Sequence, residues 1–260
     1  MNEVGSPATV LVSGSGTRVT TVCVQASMTR APLDFHHRYT VLLATFACRG
    51  RNMSTTIVSH GFGMTNQDHW YPYLRDELGA AGHRVRVPQL PEPQAPQADA
   101  WLKALTAETA VSPAADTVLV GHSLGGVNVL RLLEKHDVDA EGPYAGVVLV
   151  ASMAGEVGYD ALAGFFEPDF EWPRIRRAAR TFRILHAADD PVTGAATGEH
   201  IMRFVTELGA TATVTATGGH FPTTGASRLQ LPEAIRLVND SVPNCPGIDE
   251  REPGAVCLPP

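Results

Sequence analysis

Cysteine is scarce in this 260-residue chain, and the four present (Cys23, Cys48, Cys245 and Cys257) form no C-x-x-C pair and have no histidine at zinc-ligand spacing. That spacing argues against a zinc-finger or dithiol redox motif. The expectation is a reduced, cytoplasmic protein with no metal or cofactor, the alternative being a disulfide between Cys245 and Cys257. Long hydrophobic runs are also missing. Nothing approaches the roughly 20 apolar residues of a membrane-spanning helix. The short run from Tyr39 to Ala47 follows His36-His37-Arg38, as a secretory signal would. It lies well inside the chain, however, is followed by Arg49 and Arg51, and lacks a small-x-small cleavage site. Basic residues are outnumbered, 20 against 27 acidic, for a formal charge of -7. Such a balance lacks the Lys/Arg footprint of nucleic-acid or anionic-membrane binding. A neutral or modestly charged small molecule is the expected partner, and the sequence leaves the oligomeric state open.

Hydrophobic residues make up 44% of the chain, enough for a substantial core in one domain. Residues 1–52 show no sustained hydrophobic period, and regular patterning begins after Met53. They are read as a poorly ordered N-terminal extension or a mis-assigned start at Met1, the alternative being an ordered extension with its own role. The regular domain, the part that will carry the chemistry, is expected at 53–240. Residues 241–260, rich in Pro and Gly, are read as a flexible tail.

From Thr55 onward, β-branched runs alternate with longer amphipathic stretches, the pattern of βαβ units around a mostly parallel sheet. Strands are expected at 55–59, 84–88, 117–121, 145–151, 182–186 and 211–216, and helices at 70–81, 98–110, 124–136, 198–208 and 227–239. The proline-rich stretch 88–96 is a surface connection, since proline fixes φ and removes an amide donor. The fold class is therefore α/β, a three-layer α/β/α sandwich.

Val118-Leu119-Val120-Gly121-His122-Ser123-Leu124-Gly125-Gly126 runs an apolar strand into Gly-x-Ser-x-Gly and on into a helix. A nucleophile elbow has this form: small residues at Gly121 and Gly125 permit a sharp strand-to-helix turn that exposes the Ser123 hydroxyl. The helix N-terminus and the Leu124 amide then face any developing oxyanion. A serine hydroxyl needs a base, and the base an orienting acid. The strand at 182–186 ends in Asp189-Asp190-Pro191, and the run 211–217 ends in Gly218-Gly219-His220, each at the strand end where open α/β sheets bind ligands. His220 is the expected base and Asp190 the expected acid, with Asp189 as the alternative. Phe62, in Ser59-His60-Gly61-Phe62-Gly63, is the expected second oxyanion donor. His60 and His122 are read as structural, and Ser59 and Thr65 as local hydrogen-bonders. Trp70, Phe165, Phe166 and Trp172 are candidate substrate-pocket residues, with an anchoring role as the alternative, especially for Trp172.

The chain also carries His69-Trp70-Tyr71, Gly121-His122-Ser123, the strand at 146–150, the segment from Phe165 to Ile175, Asp189-Asp190-Pro191 and Gly219-His220-Phe221 in linear order. In these features it resembles the small serine hydrolase family that includes retinoblastoma-binding protein 9. The resemblance implies a compact α/β-hydrolase with little lid, and places nucleophile, acid and base on Ser123, Asp190 and His220. The extension, the tail and the Leu124-Gly125-Gly126 elbow depart from it. The expected activity is hydrolysis of a small ester, thioester or amide through an acyl-enzyme. Acyl transfer or thioester cleavage in small-molecule biosynthesis, and a non-catalytic binding protein on the same fold, are the alternatives.

Overall fold

The computed structural model describes residues 53–221 and 230–242, together with the short strands β1 (Thr9–Val10) and β2 (Val22–Cys23). Within the unit Met1–Ala47, β1 and β2 pair antiparallel, Thr9 with Cys23 and Val10 with Val22. Two-residue strands are too short to leave a period in the sequence. The rest of the expected extension and nearly all of the tail, including Cys245 and Cys257, lie outside the described residues.

The second unit is built on a six-stranded sheet. Its strands are β3 (Thr55–Ser59), β4 (Arg84–Arg86), β5 (Thr117–His122), β6 (Gly146–Val150), β7 (Phe182–Ala187) and β8 (Thr211–Thr215). They lie in the order β4-β3-β5-β6-β7-β8, and each neighbouring pair is parallel. Helices α1 (Tyr71–Ala80), α2 (Ala98–Thr109), α3 (Leu124–Lys135), α4 (Val138–Glu141), α5 (Trp172–Arg177), α6 (Thr197–Leu208) and α7 (Pro232–Asn239) supply the connections and outer layers. The mostly parallel α/β expectation holds.

Period-2 alternation divides the core. Val118 and Val120 of β5 and Val148 and Val150 of β6 join Leu74, Leu78, Leu237 and Val238 of α1 and α7 on one face. Leu119, Val147 and Leu149 join Leu130, Leu133, Ile175 and Phe204 of α3, α5 and α6 on the other. Each such aliphatic side chain contributes about 1.5–3 kcal/mol on full burial, so a one-residue slip of β5 would expose or displace the whole set.

Most boundaries agree to one or two residues, and the exceptions have local causes. β4 ends at Arg86 rather than at Pro88, whose ring has no amide to donate to a ladder. β6 stops before Ala151, whose φ of 46° breaks the extended backbone. The described part of α7 begins with Pro232 in its first turn, where a missing N–H costs nothing. α4 and α5 are additions: four and six residues are too few to show helical periodicity.

The chain runs from β3 to β4 on one side, then crosses back to β5 on the other. The carboxyl ends of the strands at such a reversal are where open parallel sheets take ligands. Ser123 follows β5 directly.

Candidate active site

Ser123 occupies a backbone conformation, φ 53° and ψ -126°, that L-residues rarely adopt. The strain is tolerated because the elbow is packed too tightly to relax. A Cβ on Gly125 would lie 2.0 Å from the Ser59 carbonyl oxygen, and one on Gly121 2.3 Å from the Gly126 Cα. Only glycine fits at either position. The Ser123 amide donates to the Val150 carbonyl at 2.9 Å, which leaves the side chain at the turn's apex.

Three loops bring partners to that apex. Ser123 Oγ lies 2.7 Å from His220 Nε2, while His220 Nδ1 lies 3.0 and 2.9 Å from the two oxygens of Asp190. With Nδ1–H donating to the carboxylate, Nε2 is bare and accepts a hydrogen bond from the Ser123 hydroxyl. Asp190 is 2% exposed, and its Oδ1 also accepts the Val192 amide at 2.8 Å and the Thr193 amide at 3.4 Å. Burial pushes its pKa up, but the hydrogen bond and charge of His220 and these two amides outweigh it, leaving Asp190 below the usual carboxylate range. Asp189 is exposed, and its Oδ1 accepts the Gly219 amide at 2.7 Å, tying the loop after β8 to the loop after β7.

The loop after β3 reaches the serine, since a Cβ on Gly61 would be 3.2 Å from Ser123 Cβ. Phe62 is half exposed, and its amide makes no hydrogen bond among the described residues. The Leu124 amide opens α3 and has no acceptor within that helix.

Of the aromatic candidates, Trp70 and Phe165 are packed in the core, while Phe166 and Trp172 border a cleft. Trp70 is 1% exposed, and its Nε1–H donates to the Phe221 carbonyl at 3.3 Å. Phe165 packs with Leu90, Trp101, Leu124 and Met153, 5.5 Å edge-on to Trp101. Phe166 and Trp172, both buried, line a cleft of about 320 Å³ with Phe170 and Arg203. Trp172 also packs into the core against Phe204.

Several polar residues around the site hold its loops and helices together. His60 Nδ1 contacts the Gly61 carbonyl at 3.0 Å while Nε2 accepts the Leu90 amide at 3.0 Å, stitching the β3 loop to the proline-rich connection. Ser59 Oγ accepts from Asn128, and Thr65 Oγ1 from the Gln67 amide. Sequence reasoning missed His186, buried at the end of β7 with Nε2–H donating to the Ser152 carbonyl at 2.9 Å. It also missed Arg131, which pairs with Glu134 and donates to the carbonyls of Phe165 and Pro168, clamping the segment between β6 and α5. A buried Arg–Glu pair at i, i+3 on an apolar helix was the signal for the latter.

Placed at a strained apex, hydrogen-bonded to an imidazole that a buried carboxylate orients, a hydroxyl has the means to attack a carbonyl. The sequence model described as serine hydrolase matches residues 56–239. The chain belongs to the serine hydrolase family. This serine hydrolase is similar to the putative hydrolase YdeN of Bacillus subtilis (strain 168), at 27% identity over 136 residues, 52% of this chain and 70% of YdeN. Its similarity to the serine hydrolase RBBP9 of Rattus norvegicus is 24% over 138 residues, 52% of this chain and 70% of the rat protein. The crystal structure of the B. subtilis ydeN product superposes with a TM-score of 0.66 at 23% identity, covering 72% of this chain and 98% of that one. Est1E from Butyrivibrio proteoclasticus superposes at 0.56 and 10% identity, covering 74% and 90%. Both structures share the α/β-hydrolase fold with this serine hydrolase. Among the described residues no helix is long and apolar enough to cross a membrane.

Proposed function

We propose that this serine hydrolase cleaves a small-molecule ester through an acyl-enzyme on Ser123, with His220 as general base and then general acid, and Asp190 holding the imidazole. The observation that carries the reading is the continuous chain from Ser123 Oγ to His220 at 2.7 Å and on to Asp190 at 2.9 Å. Ser123 loses its proton to Nε2 as Oγ attacks the carbonyl carbon. The resulting oxyanion lies toward the amides of Leu124 and Phe62, which have no competing acceptor. His220 returns the proton to the leaving alkoxide, and a water activated by the same imidazole releases the acid.

Asp190 is preferred to Asp189 because it is buried and meets the imidazole with both oxygens, whereas Asp189 is committed to the Gly219 amide. Esters are preferred to amides because an alkoxide leaves more readily than an amide anion. A cytoplasmic setting, and a regular domain that begins near Met53, belong to the same reading.

The test is steady-state hydrolysis of p-nitrophenyl esters of graded acyl length beside matched thioesters and anilides. Ester turnover abolished by Ser123→Ala supports the proposal. Turnover that survives the substitution, or that is confined to thioesters, overturns the assignment of the serine or of the substrate respectively.

A further inference from the structure

The base loop is held at three successive backbone groups. The Gly219 amide donates to Asp189, the His220 carbonyl lies 2.9 Å from His122 Nε2, and the Phe221 carbonyl accepts the Trp70 indole N–H. The middle bond comes from the residue next to the nucleophile. A carbonyl only accepts, so His122 Nε2 carries the proton and Nδ1 is bare. Tyr71 Oη, 2.7 Å from Nδ1, is therefore the donor there. Its single proton is spent on that bond, and Met64 Sδ at 3.1 Å is a packing neighbour. The phenol oxygen in turn accepts the Gly61 amide at 3.2 Å.

The result is one directed chain: Gly61 N–H to Tyr71, Tyr71 O–H to His122, His122 N–H to the His220 carbonyl. Both side chains are fully buried. Burial drives the His122 pKa down to about 3, with the charge of His220 adding to the effect, and pushes the Tyr71 phenol upward. Neither group changes protonation state near neutral pH, so neither exchanges protons with the substrate. What the chain does is geometric. It joins the loop that presents the Phe62 amide, the elbow that presents Ser123 and the loop that presents His220.

We propose that Tyr71 and His122 are a positioning pair, a buried hydrogen-bond bridge that holds the oxyanion loop and the base loop in register with the nucleophile. The proposal rests on the assignment of Ser123 and His220 above. Small misplacements of reacting groups cost rate far more than binding; a shift of about 1 Å costs on the order of 100-fold.

The experiment compares Tyr71→Phe, His122→Gln, His122→Phe and the Tyr71→Phe/His122→Phe double variant with wild type. Each is assayed for kcat and KM on p-nitrophenyl acetate and for thermal midpoint, with Ser123→Ala as the control. Tyr71→Phe removes one oxygen without opening a large cavity, and should lower kcat by about 10- to 100-fold with KM nearly unchanged. His122→Gln, whose amide can still reach the His220 carbonyl, should retain at least about tenfold more kcat than His122→Phe. The double variant should lose little beyond His122→Phe, because one chain cannot be broken twice. Wild-type kcat in Tyr71→Phe, multiplicative losses in the double variant, or losses that simply follow a fall in thermal midpoint would overturn the pairing. An active Ser123→Ala enzyme would instead overturn the underlying catalytic assignment.

Discussion

His122 and Leu124 flank the same serine, yet they belong to different surroundings. His122 sits among Trp70, Tyr71 and His220, where buried rings are joined by directional bonds from Tyr71 Oη and to the His220 carbonyl. Leu124 sits among Leu90, Trp101, Val127, Met153, Leu162 and Phe165. Of these only Trp101 carries a strong hydrogen-bonding group, and that one donates to the Pro91 carbonyl. The first neighbourhood sets angles; the second fills volume. Hydrogen bonds are directional and weaken steeply once bent below about 120°, whereas dispersion is spread over many weak contacts. Damage to the polar side should therefore appear in rate, and damage to the apolar side in stability.

The largest effect expected is Ser123→Ala, which should reduce turnover by roughly a million-fold if the three residues act as a unit, with an unfolding midpoint near that of wild type. Next, Asp190→Asn should cost about ten-thousand-fold in kcat, because an amide in place of the carboxylate favours the wrong imidazole tautomer. A loss of less than tenfold would remove Asp190 from the proposed triad. On the apolar side, Phe165→Ala should cost about 3–5 kcal/mol of stability in urea unfolding, while turnover per folded molecule changes little. A rate loss there without a stability loss would break the contrast.

A graded effect comes from pH. Burial lowers the pKa of His122 to about 3 and of His186 to about 4, and moves His60, His69 and His200 the same way. In the unfolded chain each takes up its proton near pH 6.5. Between that pH and the lowered folded values the unfolded state binds more protons, so stability falls as pH drops. The slope is up to about 1.4 kcal/mol per pH unit for each fully buried histidine. Urea midpoints at pH 7, 6 and 5 should decrease in step, and a flat profile would contradict the neutral, buried state of His122 and His186. Least affected should be Asp189→Asn, which keeps an acceptor for the Gly219 amide and should cost no more than about 1 kcal/mol in kcat/KM terms. A loss as large as that of Asp190→Asn would reverse the preference between the two.

What was legible in the sequence follows the same division. The strands and long helices show in their periodicity because each has one face to bury, as Val118/Val120 against Leu119 illustrates. The elbow shows because glycine is the only residue that fits at Gly121 and Gly125. The line Ser123, Asp190, His220 shows because each follows a strand at the same sheet edge. The helix α5 was illegible because Trp172 and Ile175 are only one apolar step of a six-residue element. Trp70 reads as a pocket aromatic in sequence, but it is buried and its indole N–H donates to the carbonyl of Phe221, 151 positions away. The Tyr71–His122 bond spans 51 residues and leaves no local pattern.

The central claim is that Ser123 is the nucleophile activated by His220. The direct measurement is labelling of the native protein with a fluorophosphonate at neutral pH, followed by tandem mass spectrometry of the adduct. A single adduct on Ser123, lost in Ser123→Ala and strongly slowed in His220→Ala, is the predicted result. An adduct on another residue, or equal labelling of Ser123→Ala, would contradict it.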